Sequence, residues 1–142
     1  MSNVRLAFSV LALLLAAAIA PSCGSGSNQG QLQSIAVSPA TADAQNYPNG
    51  SVPFQATASY VDPEHTVTPY AATWTACSQG SFTSDIVITQ AGAAQCSSNA
   101  HGTYSISASG FNGPGMASCP VANPCGSTGG CTVIGKAQLT CP

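Results

Sequence analysis

From residue 32 onward the apolar positions of this chain recur with a period of two, and no stretch there keeps a helical period. The clearest case is SVPFQATASYVD, residues 51–62. Val52, Phe54, Ala56, Ala58 and Tyr60 fall on one face, and Pro53, Gln55, Thr57 and Ser59 on the other. Successive side chains of a strand point to opposite sides, so this pattern predicts a strand with one face in a core and one in water. GTYSISAS (102–109) repeats it, with Tyr104, Ile106 and Ala108 inward and Thr103, Ser105, Ser107 and Ser109 outward. In QSIAVSP, Ile35 and Val37 share a face before Pro39 ends the run. YAATWTAC places Ala72, Trp74 and Ala76 together, DIVIT is a short β-branched run, and AAQC follows Gly92. CTVIGKAQLTC puts Val133, Ala137, Leu139 and Cys141 on one parity. Gly, Pro, Asn, Asp and Ser punctuate the intervals. About seven short strands in roughly 110 residues predict an all-β domain over 32–142, a two-sheet β-sandwich, with a small barrel as the alternative.

Before residue 32 the pattern changes. Arg5 is followed by LAFSVLALLLAAAIA, an apolar run over residues 6–20 interrupted only by Ser9. That is the length of a signal-peptide core and is shorter than the roughly 20 residues of a transmembrane helix. Residues 1–22 are therefore expected to be an export signal. Ala18-Ile19-Ala20 offers a small-x-small cleavage pattern, but Pro21 directly after it opposes that cut. Cys23, with Ser22 before it and Gly24 after it, resembles the lipobox of bacterial lipoproteins, although Ala20 stands where Leu is usual. This resemblance implies lipidation of Cys23 and an anchor in the membrane; the alternative is plain secretion. GSGSNQGQ then reads as a flexible tether over residues 23–31.

Charge narrows the functional classes. The 142 residues contain only two Lys+Arg and four Asp+Glu. The basic residues are Arg5, inside the leader, and Lys136. Nucleic-acid binding requires many Lys and Arg to displace phosphate counterions, and so it is excluded. Polarity comes instead from Ser, Thr, Asn and Gln, which suit the solvated faces of sheets.

LQSIAVSPATADAQNYPNGSVPFQATASYVD, VTPYAATWTAC and GTYSISAS together resemble the bacterial Ig-like domains of the group 2 type. The resemblance covers about residues 32 to 110 and returns in the last strand, near 132 to 140. It implies an Ig-like sandwich, a buried Trp74, and a cell-surface, adhesive or spacer role. Fold alone does not fix function. Two departures stand out. The family usually lacks cysteines, and GFNGPGMASCPVANPCGSTGGC (110–131) looks like a disulfide-rich insertion before the last strand. The inter-sheet disulfide familiar from antibody domains is not expected, because the central strand positions are Ala56, Ala58 and Ile106.

Seven cysteines leave an odd one, and lipidation of Cys23 removes it. Cys77, Cys96, Cys119, Cys125, Cys131 and Cys141 then form an even set in an exported chain, which points to disulfides. Strand order favours Cys77 with Cys96, Cys119 with Cys141, and Cys125 with Cys131. Zinc is the weaker reading, since no two cysteines have the close spacing of zinc ligands. No metal and no cofactor is expected.

Catalytic chemistry finds little support. The acids are Asp43, Asp62, Glu64 and Asp85, and the histidines are His65 and His101. Only VDPEHTV gathers several of them, on a turn that Asp-Pro favours for its own geometry. No Gly-x-Ser-x-Gly elbow occurs, and CGSTGGC lacks the Lys of a phosphate loop. We expect no enzyme. Among the aromatic residues, Tyr60 and Trp74 are expected in the core, leaving Tyr47, Tyr70 and Phe111 as the freer rings. The expectation is a non-catalytic cell-envelope module, structural or adhesive. The alternative is an accessory domain binding a surface polysaccharide or a protein, with no ligand-binding residue assigned.

Overall fold

The longest strands are β10 (Gly102–Phe111) and β11 (Thr132–Cys141), paired antiparallel from Gly102↔Cys141 to Phe111↔Thr132. They form the centre of a sheet ordered β2-β11-β10-β6-β7, with β2 at Thr41–Asp43, β6 at Thr73–Ser78 and β7 at Ser81–Phe82. This computed structural model describes residues 30–113, 122–126 and 129–142. The expected signal peptide, Cys23 and Cys119 lie outside the described residues.

Two three-stranded ladders complete the domain. One is β1 (Gln31–Ser38), β4 (Gln55–Val61) and β5 (His65–Val67); the other is β3 (Ser51–Pro53), β9 (Ala93–Cys96) and β8 (Ile86–Ile88). The fold is an all-β sandwich. The run over 51–62 that reads as one strand divides at Phe54. Its first part pairs with β9 and its second with β1 and β5, while the Phe54 N–H donates to the Gly92 carbonyl at 3.0 Å. Among the described residues eleven strands replace the expected seven or so, because this run divides in two and β2, β5 and β7 are additional two- or three-residue pieces at sheet edges. β1 begins at Gln31, one residue inside the expected tether.

Alternation predicts the inner faces well. Val52, Phe54, Ala56 and Ala58 are buried against Ile106, Ala108, Val133, Ala137 and Leu139. In β1 the pairing register shifts between Leu32 and Ser34, so Gln33 is the extra residue of a bulge. That bulge lets Leu32 face the core together with Ile35 and Val37, despite the odd spacing. Alanines and glycines at facing positions bring the layers close. A Cβ on Gly135 would meet the Ile35 carbonyl oxygen and lie 2.9 Å from Ile35 Cγ2. β1 thus crosses β11 where β11 has no side chain.

Ser107 and Ser109, expected outward, are buried. Something covers both faces of the five-stranded sheet at this point, and the cysteines identify it.

Candidate functional site

Cys77 lies on β6 one residue beyond the core-facing Ala76, so its side chain projects from the outer face of the sheet. There it is disulfide-bonded to Cys125, with Cα atoms 5.5 Å apart. The bridge ties residues 122–126, part of the insertion, onto β6, β10 and β11. The Ser107 hydroxyl lies 3.8 Å from Cys77 Sγ, and the Lys136 ammonium donates to the carbonyls of Cys125, at 3.4 Å, and of Gly126. Pro124 and Cys125 are buried. The covering segment lies on the side of the sheet where Ser107 is enclosed beside Cys77, while Ser109 donates its hydroxyl to the Thr73 carbonyl at 3.2 Å. It also occupies the only lysine of the chain.

Cys96, at the end of β9, is disulfide-bonded to Cys141, at the end of β11, with Cα atoms 5.9 Å apart. This bridge joins two different sheets, but at strand ends rather than at the central positions of antibody domains. None of the three expected pairings holds. Cys77 pairs with Cys125 instead of Cys96, Cys141 with Cys96 instead of Cys119, and Cys131, also disulfide-bonded, is not joined to Cys125. Proximity in sequence is the wrong guide here. The register of β9 and β11, and the fold-back of the insertion, decide which sulfurs meet.

The titratable residues are dispersed, and most serve local structure. Asp43 accepts the Gln45 N–H at 3.0 Å and opens a 3-10 turn. Asp85 accepts from the Tyr104 hydroxyl at 3.2 Å. The Tyr104 phenol is raised above its ordinary pKa, by burial first and then by that carboxylate. His65 stacks on Tyr60 with ring centroids 4.6 Å apart, and its Nδ1–H donates to the Pro63 carbonyl at 2.9 Å. His101 donates to the Pro142 carbonyl. Asp62 and Glu64 stand exposed on the hairpin beside His65. Among the described residues no group of three or more His, Cys, Asp or Glu is placed to hold a metal ion, and no helix is long and apolar enough to cross a membrane.

The aromatic rings do not form one platform. Tyr47 borders a small cavity with Gln45, Gln95 and His101, while Phe82 and Phe111 are exposed on separate strands. Tyr70 is only half-buried, and its hydroxyl reaches the backbone at Gly110, where a Cβ would collide with it. Burial, then the neighbouring Tyr60 hydroxyl, raises its pKa.

Trp74 departs from expectation most usefully. It is half-buried rather than enclosed, and two clefts flank it. One, of about 480 Å³, is lined by Phe54, Gln55, Pro69 and Tyr70; the other, of about 420 Å³, by Ala72, Thr73, Ile88 and Thr89. Ala71, Trp74 and Gln90 belong to both. A Cβ on Gly92 would lie 2.8 Å from Trp74 Cζ2 and would meet the Phe54 carbonyl oxygen, so this glycine seats the indole edge. The signal in the sequence was the small size of the neighbours. Ala71, Ala72 and Ala91 cannot enclose an indole, and space is left beside it.

No family model matches this chain, and no curated protein sequence matches it.

Proposed function

We propose that this protein is a non-catalytic module of the bacterial cell envelope, an Ig-like sandwich with a structural or adhesive role, held at the membrane through lipidated Cys23. The observation that carries the reading is the pair of bridges, Cys96–Cys141 between sheets and Cys77–Cys125 over the outer face. Such bridges persist in oxidising compartments, and they accompany an N-terminal segment that reads as an export signal. The engagement of Asp43, Asp85, His65 and His101 in caps, stacks and strand-end contacts supports a structural rather than a catalytic use.

Globomycin, which blocks the lipoprotein signal peptidase, provides the test. Treated cells are expected to accumulate the larger unprocessed precursor. Unchanged processing would contradict the anchor. A second reading, an accessory binding domain, is favoured specifically by the clefts beside Trp74.

A further inference from the structure

We infer that the paired clefts beside Trp74 are a binding site for a neutral glycan chain. Every group along them fits that chemistry. The C–H faces of a pyranose ring are apolar and weakly electropositive, and an indole presents a large ring with a negative face. Sugar hydroxyls both donate and accept, and they need partners that do the same. Primary amides do, and Gln55 and Gln90, both exposed, stand on the rims. Thr73 and Thr89 add hydroxyls to the second cleft. Neither amide nor the indole N–H has a hydrogen-bond partner among the described residues, so these donors and acceptors are uncommitted.

The lining also specifies charge. Neither cleft is lined by Asp43, Asp62, Glu64, Asp85 or Lys136. An acidic sugar, a phosphate or a charged peptide side chain would find no counter-ion there, whereas a neutral saccharide needs none. Size argues for a chain rather than a single sugar. The two clefts share Ala71, Trp74 and Gln90 as lining, so they lie side by side at the indole, and a chain with one ring in each would carry its linkage past Trp74. Ligand sites of this kind combine apolar and aromatic walls with a few convergent polar groups. Gly92 contributes position: it holds the indole edge against the layer behind and fixes the exposed part of the ring.

Trp74 is the only tryptophan in the chain, so its emission reports on this site alone. The full chain, oxidised, is titrated with cellohexaose, chitohexaose, xylohexaose and mannohexaose to millimolar concentration. At least one is expected to shift the emission to the blue and to saturate. Calorimetry of the responding sugar with Gln90→Ala, an exposed change that leaves the core intact, is expected to show affinity lowered about three- to tenfold, the loss of one hydrogen-bonding amide. Trp74→Phe keeps a ring for packing and is expected to weaken binding at least as much, while Phe82→Ser, on β7, leaves it unchanged. No emission change with any of the four sugars overturns the site, as does binding that survives Gln90→Ala and Trp74→Phe undiminished. Either failure leaves the envelope-module reading standing, because globomycin processing depends on Cys23 and not on this cleft.

Discussion

Replacing Cys96 and Cys141 together by alanine is expected to lower the stability of the oxidised protein by about 4 kcal/mol. The bridge spans 45 residues, and in the chain-entropy account a closed loop of that size restricts the unfolded ensemble by about this amount. For a domain of this length each kcal/mol moves the melting temperature by roughly 3 to 5 °C, so the melting temperature followed by circular dichroism is expected to fall by roughly 12 to 20 °C. Cys141 is buried at the end of β11 and Cys96 is half-buried at the end of β9, so the bridge also holds the margins of two sheets together. Alanine is the better replacement because a serine hydroxyl would be buried at Cys141 without an assigned partner. A shift of only a few degrees would mean that the sheets are held by their core alone.

Gly135→Val carries the second large effect. β11 lies between β2 and β10 and cannot move aside, and β1 crosses it with the Ile35 carbonyl oxygen directly over Gly135. A valine there meets backbone, which relaxes far less readily than the end of a side chain. Overpacking of this kind costs about 3 kcal/mol or more. Urea denaturation is expected to show a midpoint lowered accordingly. Gly113→Val serves for comparison, since a Cβ on Gly113 meets nothing within 4 Å among the described residues, and it is expected to change stability by less than about 0.5 kcal/mol. Equal effects from the two substitutions would refute the close crossing of the layers.

Much of the core was legible in the alternation. Val52, Phe54, Ala56, Ala58, Ile106, Ala108, Ala137 and Leu139 all lie on the side that period two assigns them. The reason is simple: a strand has only two faces, and each apolar parity has one place to go. What was not legible depended on partners distant in sequence. The division at Phe54 arises because its two flanks pair with different strands, and nothing local marks the change. Ser107 looks like a solvent-facing residue until the insertion is tied down beside it by Cys77–Cys125. The cysteine pairing failed for the same reason, since Cys96 meets Cys141 only after both sheets are in register. Family resemblance implies a buried Trp74, and its parity with Ala72 and Ala76 is right for its direction. Parity says nothing about volume, and the alanines around it are too small to close over an indole. The candidate site therefore came from the sizes of its neighbours and not from any motif.

The central claim, an exported module carrying a lipid on Cys23 and stapled by disulfides, is tested most directly by one measurement. The intact mass of the mature protein is determined with and without reduction. The account predicts a chain that begins at Cys23, carries the added mass of a diacylglyceryl or triacyl group, and gains hydrogens on reduction only at disulfide-bonded cysteines. A chain that retains residues 1–22, has no lipid mass and shows every thiol free before reduction would contradict it.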